Sequence, residues 1–301
     1  MYGEYMMDLA AVSTLRAVAE HGTVIAAAEA IGYTPSAVSQ QVKRLERQLG
    51  LPLLERVGRG VMLTDHGRQL CEAGGEVLAH VEAVQARIHA EVGQVSGHLR
   101  VAAFSTAIRG MLAPVASRLL REHPGLELTL TDTEPWAAVD VVASGRAEIG
   151  VAHSWGEMAL VIPEHVVATP VHRDVAHVVV PTEHPLAEQT EVTAAALVEE
   201  RWVATPEGTI CRQWLDHMHG LAGRRPRVTH VSPEYDVHLA MVAAGLGVAL
   251  VPRMGRSPLP EGTRALRVRD PEPTREVVAL HRRSMTSSPA VRAVVDALAA
   301  G

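Results

Sequence analysis

Five polar or cationic residues lie close together near the amino end of the chain and could carry chemistry. They are Ser36, Ser39, Gln40, Lys43 and Arg47. Between them, apolar residues recur at spacings of four, three and four: Val38, Val42, Leu45 and Leu49. This periodicity predicts a helix with one buried stripe and an exposed polar, cationic face. Cations on such a face can bind phosphate, and its hydroxyl and amide groups can hydrogen-bond to base edges, so the pattern favours contact with DNA.

Local signals on either side of a turn position this helix. Thr23 and Thr34 each precede an apolar run, where a threonine oxygen can cap the free amides of a helix. Pro35 follows at the first helical position, where its missing N–H costs nothing. Gly32 supplies the turn between the two helices. Residues 23–49 therefore predict a helix-turn-helix, although a small helical hairpin without a DNA role would show the same stripes.

A short hairpin pattern follows over residues 51–64, with Arg56 and Arg59 near its tip. A basic wing of this kind can grip the phosphate backbone while the helix reads base edges. Residues 34–64 carry five cations against two anions, although the whole chain has a net charge of −6. The positive charge is therefore concentrated on the predicted helix and wing. A patch of this size predicts weak DNA binding by a monomer.

In this stretch the chain resembles the N-terminal winged helix-turn-helix of LysR-type transcriptional regulators. The matching residues are 27–28, 34–39, 43–46, 49–50, 52–53, 55–56, 59, 63–64 and 67. The chain departs from the family at Leu15 and Leu54, where Phe is usual, and at Pro35, which stands at a frequent DNA-contacting Gln position. The pattern and the resemblance together predict the following DNA-binding residues: Thr34, Pro35, Ser36, Ser39, Gln40, Lys43, Arg56 and Arg59.

A long helical pattern over residues 64–92 carries apolar residues at spacings of seven, four, three and four: Leu70, Val77, Val81, Val84 and Ile88. Heptad spacing of this kind is typical of a helix that packs against a partner helix. An amphipathic helix that lies on its own domain is the alternative, and Gly74 and Gly75 weaken its middle. The resemblance implies a dimerisation helix, so we expect a homodimer, or a homotetramer of paired dimers, on two-fold DNA.

Residues 93–97 form a predicted hinge, after which strands and helices alternate. This rhythm, which includes helices at 107–122 and 192–199, predicts a mainly parallel sheet with helices on both faces. Two rounds of it resemble the two-lobed, periplasmic-binding-protein-like effector domain of the family, best at 146–151 and 243–248.

The predicted fold class is therefore α/β, with an N-terminal winged helix-turn-helix, a long linker helix and a two-lobed effector-binding domain. The expected boundaries are 1–64 for the DNA-binding domain, 65–92 for the linker helix, 93–97 for the hinge and 98–301 for the effector-binding domain. Within that domain we expect lobe I at about 98–170 and 270–301, and lobe II at about 171–269.

Hydroxyl side chains follow several predicted strands, where small ligands collect in open parallel sheets and helix N-termini attract anions. The candidates for effector binding are Ser105, Thr106, Thr133, Ser154, Thr205 and Ser232. The resemblance places effector contacts at Ser105 and in the loop that holds Thr205. Plain helix caps are the alternative for Ser105 and Thr106. We expect a small-molecule effector, with anions among the candidates.

The sequence lacks a Gly-x-Ser-x-Gly elbow, a P-loop and a His-Glu-x-x-His motif. Cys211, His217 and His219 are the densest set of metal-ligating types, but residues two apart diverge on a helix. We therefore expect no catalysis, no cofactor and no metal. No signal peptide or membrane-length apolar run is visible, and Cys71 and Cys211 fall in different modules, which indicates the cytoplasm.

The sequence thus predicts a cytoplasmic LysR-type transcriptional regulator that binds inverted-repeat promoter DNA and responds to a small-molecule effector. Its expected partners are double-stranded DNA, the effector, further copies of itself and, as another candidate, RNA polymerase, without membrane contact. A small-molecule receptor of periplasmic-binding-protein type without a DNA role is the alternative, since the two-lobed part alone would allow it.

Overall fold

The computed structural model describes residues 7–58, 60–156 and 158–301, and the chain divides into two compact units at residue 85. The first unit begins with three helices: α1 (Leu9–His21), α2 (Val24–Ile31) and α3 (Pro35–Leu49). An antiparallel hairpin follows, formed by β1 (Leu54–Val57) and β2 (Gly60–Leu63). A fourth helix, α4 (Asp65–Val92), begins in this unit. The helix-turn-helix and its wing are therefore present as the sequence predicts.

Local capping explains where these helices begin. The Thr23 hydroxyl accepts from the Ala26 amide at 3.1 Å, and the Thr34 hydroxyl accepts from the Ala37 amide at 3.2 Å. Gly32 ends α2 with a φ of 70°, a left-handed conformation that glycine adopts without strain. Both predicted starts are confirmed, because the signals that set them act within one helical turn.

The core of the first unit lies among α1, α2, α3 and the hairpin. Its larger fully buried members are Val12, Leu15, Val18, Val38, Leu45 and Leu53. The predicted stripe of α3 is correct for three of its four residues, but Leu49 is 40% exposed. Leu49 is the last residue of α3, where the chain turns away at Gly50, so it lies beyond the core.

The glycine pair in α4 has different surroundings on its two residues. A Cβ atom on Gly74 would lie 2.3 Å from Cγ1 of Val12, a fully buried residue of α1. A Cβ atom on Gly75 would meet only the Arg16 guanidinium, at 3.6 Å. Gly74 therefore allows α4 to pack closely on α1, whereas Gly75 has room for a side chain.

The described residues of the second unit form ten strands: β3 (Gly97–Ala103), β4 (Leu126–Asp132), β5 (Ile149–Trp155), β6 (Val166–Pro181), β7 (Glu191–Thr193), β8 (Arg201–Ala204), β9 (Arg227–Val231), β10 (Val248–Pro252), β11 (Thr263–Arg269) and β12 (Thr274–Arg282). They are ordered β4-β3-β5-β12-β6-β10-β8-β9, and β11 pairs with both β6 and β7. The β3, β4 and β5 strands are parallel, as are β8, β9 and β10. The two parallel sets lie at opposite ends of this strand order, one in each lobe.

The long strand β6 connects the two lobes. Its first part, 166–175, pairs with β12 in the first lobe, and its last part, 176–181, pairs with β10 and β11 in the second. Residues 174–176 therefore mark a crossing between the lobes. The C-terminal helix, α10 (Pro289–Ala299), packs into the core of the first lobe through Val291, Val294 and Leu298.

The remaining helices of the second unit are α5 (Ser105–Ala107), α6 (Ala113–Glu122), α7 (Pro135–Ala143), α8 (Ile210–Gly220) and α9 (Tyr235–Ala243). The single helix predicted at 107–122 is wrong in detail, because a π-helical turn at Ile108–Leu112 separates α5 from α6. The helix predicted at 192–199 is also wrong. Val192 instead pairs with Val268 of β11, and a short 3₁₀ helix follows at Ala194–Leu197. Among the described residues, no helix combines the length and apolar character needed to cross a membrane.

We predict opposite effects for alanine at the two glycines of α4. Alanine has a helix propensity about 1 kcal/mol more favourable than glycine, so Gly75→Ala should stabilise the first unit. In Gly74→Ala, overpacking against Val12 costs about 1–3 kcal/mol and should outweigh that gain. Amide hydrogen exchange of α1 in the full-length chain measures both variants. Equal increases in protection in the two variants would contradict the packing role of Gly74.

Candidate functional site

The outer face of α3 holds the residues predicted to contact DNA. Exposed positions at the start and along the helix are Thr34, Pro35, Ser36, Gln40 and Lys43, while Ser39 is half-buried. Arg44 and Arg47 extend the exposed cationic surface toward the end of the helix. An open groove of about 770 Å³ runs along this face and is lined by both arginines, Gln40 and Lys43.

The carboxylate of Glu46 organises the start of the wing. Its Oε1 accepts from the Leu53 amide at 2.9 Å and from the Leu54 amide at 3.3 Å. One of the two anions in this region is therefore committed to the backbone of the wing rather than to a neighbouring cation. Arg56 is exposed on β1. The other predicted wing cation, Arg59, lies outside the described residues.

The cations of α3 differ in their partners. Arg44 lies 3.5 Å from the Asp8 carboxylate, a distance at which surface pairs contribute little. Lys43, Arg47 and Arg56 form no ion pair within the described part of the chain. These three side chains are available to a polyanion.

The apolar residues predicted along α4 have two kinds of environment. Leu70 packs against the core of the first unit. Val77, Val81 and Ile88 are 49%, 39% and 54% exposed, and Val84 is half-buried. Sequence reasoning placed all five on one partner-facing stripe, whereas Leu70 is occupied within its own unit.

The hydroxyl residues predicted to bind an effector lie at strand ends in both lobes. In the first lobe, the Thr133 amide donates to the Ala103 carbonyl at 3.0 Å, which brings the ends of β4 and β3 together. In the second lobe, the Ser232 amide donates to the Ala204 carbonyl at 3.1 Å, which brings Ser232 beside the loop that begins at Thr205. Each lobe therefore gathers its own predicted residues at one edge of its sheet.

The exposure of these residues varies. Ser105, Thr133 and Ser154 are half-buried. Thr205 and Ser232 are both buried, and the Thr205 hydroxyl lies 2.8 Å from the hydroxyl of Thr209. Ser154 lies opposite Glu276 in the β5–β12 ladder.

A buried arginine, Arg275 on β12, lies where the lobes meet, and sequence reasoning missed it. Its Nε donates to Oδ2 of Asp174 at 2.9 Å, and one terminal nitrogen donates to the Thr106 hydroxyl at 2.9 Å. The guanidinium carbon lies 5.0 Å from the ring centre of Phe104 and 5.8 Å from that of Trp155, in cation–π geometry. Thr106, a predicted effector contact, is 2% exposed, and its hydroxyl is occupied by Arg275.

Asp174 completes the link between the lobes. It lies at the crossing on β6, and its Oδ1 accepts from the Met254 amide at 3.0 Å, just after β10. Arg275 and Asp174 are 1% and 5% exposed. Each charge is therefore compensated by the other and by neutral hydrogen bonds, as burial of an ion pair requires.

Aromatic rings extend this contact across the lobes. Trp155 of β5 stacks on Trp214 of α8 with ring centres 5.7 Å apart. His153 meets the Phe104 ring edge-on at 4.5 Å. Burial, together with the charge of Arg275, holds the pKa of His153 well below its usual value. His153 is therefore neutral at pH 7 and can pack among aromatic rings.

A small cavity of about 20 Å³ adjoins these rings. Aliphatic and aromatic side chains line it together with a few polar groups: Trp155, Val203, Ala204, Thr205, Cys211, Leu215, Tyr235, His238 and Leu250. Burial raises the pKa of the Cys211 thiol and raises that of the Tyr235 phenol well above its usual value. Burial also lowers the pKa of His238. All three groups are therefore uncharged at pH 7.

Comparisons with known proteins agree across the length of the chain. Residues 9–68 match the family model described as bacterial regulatory helix-turn-helix protein, lysR family, and residues 93–301 match the model described as LysR substrate binding domain. The HTH-type transcriptional regulator XapR of Escherichia coli is 29% identical over 82% of this chain and 83% of its own length. The RuBisCO operon transcriptional regulator of Allochromatium vinosum is 29% identical over 81% of this chain and 79% of its own length.

Solved structures share the fold. A full-length OxyR variant from Pseudomonas aeruginosa superposes with a TM-score of 0.70 at 21% identity, covering 97% of this chain and 95% of its own. Full-length CbnR in complex with its target DNA gives a TM-score of 0.56 at 21% identity, covering 97% of this chain and 99% of its own.

We predict that the Asp174–Arg275 pair is far more sensitive to the loss of one partner than to the loss of both. Asp174→Leu or Arg275→Met alone leaves a buried charge without its partner and should destabilise the second unit by roughly 3–5 kcal/mol. The double variant removes both charges and should be more stable than either single variant. Urea unfolding followed by tryptophan fluorescence reports on this unit, because all four tryptophans lie between residues 136 and 214. A double variant no more stable than the weaker single one would contradict the pairing.

Proposed function

The chain belongs to the LysR family of bacterial transcriptional regulators, and we propose that it binds inverted-repeat promoter DNA and responds to a small molecule held between its two lobes. The observation that carries the proposal is the exposed cationic face of α3. Lys43 and Arg47 lie opposite the buried residues Val38 and Val42, with no acidic partner among the described residues. A solute receptor without a DNA role has no use for such a face.

The roles on DNA follow from the side-chain chemistry. Ser36, Ser39 and Gln40 read base edges in the major groove, as hydroxyl and amide groups can. Lys43 and Arg56 bind phosphates and fix the position of the helix on the duplex. Thr34 and Pro35, at the exposed start of α3, lie beside the DNA backbone. Arg59 would extend the contact between the wing and the phosphates.

Oligomerisation doubles the cationic surface of α3 and the wing, which in a single copy should bind DNA only weakly. The exposed apolar residues Val77, Val81 and Ile88 on α4 suit a partner helix, with Val84 at the edge of the contact. Leu70 supports this helix from within its own unit. Two copies related by a two-fold axis present two α3 helices to an inverted repeat, as a homodimer or as a homotetramer of two dimers.

The effector contacts come from both lobes. Ser105, Thr133 and Ser154 offer hydroxyls from the first lobe, and Thr205 and Ser232 from the second. Thr106 acts through Arg275, because its hydroxyl accepts a hydrogen bond from the Arg275 guanidinium. A ligand that binds one lobe arrangement better than another shifts the population of the two, and that shift changes how the α3 helices meet DNA.

The relatives reported above are named as transcriptional regulators, and we propose that this chain likewise acts without catalysis. We propose RNA polymerase as a further partner. Because regulators of chromosomal promoters work in the cytoplasm, we propose that location for this chain. We propose the domain boundaries that the sequence pattern predicts. They are 1–64 for the DNA-binding domain, 65–92 for the linker helix, 93–97 for the hinge and 98–301 for the effector-binding domain.

We predict that two substitutions on the DNA-binding surface act differently. Genomic fragments retained by the purified protein supply the operator for titration at several salt concentrations. Arg56→Ala should weaken binding to all sequences and reduce the salt slope by about one per subunit, because one phosphate contact is lost. Gln40→Ala should instead relax the preference at one base position of each half-site by roughly 1–3 kcal/mol.

The matched control for these variants is Arg225→Ala, which removes an exposed arginine from the second unit. It should leave both affinity and salt slope unchanged. If Arg56→Ala and Arg225→Ala behave alike, the wing is not a phosphate contact. If wild-type protein retains no genomic DNA at low salt, the proposed function fails.

We also predict that a charge on the exposed stripe of α4 weakens oligomerisation. Val81→Glu places a carboxylate among apolar residues that should be buried in the dimer, and sedimentation should show dissociation at concentrations where the wild type is associated. Ala90→Glu adds the same charge at an exposed position half a helical rotation away and should leave assembly intact. Assembly unchanged in both variants would remove α4 from the interface.

A further inference from the structure

The buried imidazole of His238 has one nitrogen without a partner. Its Nε2 lies 2.8 Å from the carbonyl oxygen of Ser232. A carbonyl can only accept, so Nε2 carries the proton and Nδ1 presents a bare lone pair. His238 is 1% exposed, and its Nδ1 has no hydrogen-bond partner among the described residues. Buried acceptors in native proteins are nearly always bonded to a protein group or to water, so a donor belongs beside Nδ1.

The cavity that His238 lines has room for such a donor. Its volume of about 20 Å³ exceeds the roughly 10–15 Å³ that one water needs. The same space accepts a hydroxyl or amino group. Trp155, which lines the cavity, stacks on Trp214 with ring centres 5.7 Å apart, so a molecule with a larger body requires these two rings to separate.

The charges around this cavity disfavour an anion. Within the described residues, no side chain that lines it is charged at pH 7, since burial keeps the thiol of Cys211, the phenol of Tyr235 and the imidazole of His238 neutral. Arg275 is nearby, but its charge is paired with Asp174, whose Oδ2 lies 2.9 Å from Nε and 2.8 Å from one terminal nitrogen of the guanidinium.

Glu134 adds to the same effect. Burial is the largest cause of the raised pKa of both Cys211 and Tyr235; the charge of Arg275 opposes it, and the Glu134 carboxylate adds to it. An effector carboxylate in the cavity would therefore meet a lining without a charged side chain, because Arg275 lies outside that lining and is paired with Asp174. Burying an uncompensated charge is strongly unfavourable.

We propose that the effector is an uncharged molecule whose O–H or N–H group donates to Nδ1 of His238 while its apolar body lies against Trp155, Leu215 and Leu250. This inference rests on the proposed function, because it assigns a ligand class to the cleft that the function requires. It narrows the ligand classes suggested by the sequence, which included anions.

The test uses the full-length protein and two matched series of probes. The aromatic series is benzyl alcohol, toluene and benzoate, and the aliphatic series is cyclohexylmethanol, methylcyclohexane and cyclohexanecarboxylate. Ligand-observed NMR measures affinity, and thermal unfolding measures stabilisation. The alcohol should bind roughly 3- to 10-fold tighter than the hydrocarbon in at least one series, as one added hydrogen bond allows. The carboxylate should bind more weakly than either.

Two variants separate the hydrogen bond from general effects of substitution. His238→Phe keeps an aromatic ring but has no acceptor at the place of Nδ1, so the preference for the alcohol over the hydrocarbon should disappear. His219→Phe is the matched control: His219 is equally buried, bonds to the Leu215 carbonyl and does not line the cavity. This variant should keep the wild-type preference.

Three outcomes would overturn the inference: carboxylates that bind as tightly as alcohols, a preference for the alcohol that survives in His238→Phe, or no binding by any probe. Operator binding is measured on the same preparations. Retained operator binding in any of these cases leaves the proposed function standing, whereas loss of operator binding by the wild type counts against that function itself.

Discussion

The buried ion pair between Arg275 and Asp174 is the interaction on which the effector-binding unit depends. Asp174 lies where β6 crosses from one lobe to the other, and Arg275 reaches the aromatic rings of the first lobe from β12. Through Met254 the same carboxylate holds the end of β10 in the second lobe. The pair therefore ties the crossing strand to both lobes, and its two charges neutralise each other. The cavity lined by Trp155 can therefore hold a ligand that does not have to balance the charge of Arg275 or of Asp174.

The DNA-binding unit depends on a different constraint, which is close packing behind a polar face. Gly74 lets α4 approach Val12, and the core between α1 and α3 buries the apolar stripe of the reading helix. The Glu46 carboxylate accepts from two backbone amides of the wing, which partly compensate its negative charge. A chain with a net charge of −6 can therefore present a cationic surface where DNA would lie.

Local sequence signals predict the helices of the first unit. Much of the second unit depends on pairing between residues far apart in the chain, which the sequence pattern does not reveal. Caps such as Thr23 and Thr34 act over three residues, so the helix starts are correct. Asp174 and Arg275 are 101 positions apart, and neither has a local pattern that marks it. The sequence pattern wrongly predicts a helix at Val192, because the residues around it give no sign that this strand pairs with β11. The hydroxyl residues were found at strand ends, but the polar atom that lacks a partner belongs to His238.

In the proposed complex, two copies of α3 dock into successive major grooves of duplex DNA. Hydroxyl-radical footprinting of the wild-type protein on a genomic fragment that it retains measures this arrangement. We expect two protected half-sites related by a two-fold axis, with centres about one helical turn, or a multiple of it, apart. Protection of a single unpaired segment, or none in dilute salt, would contradict it.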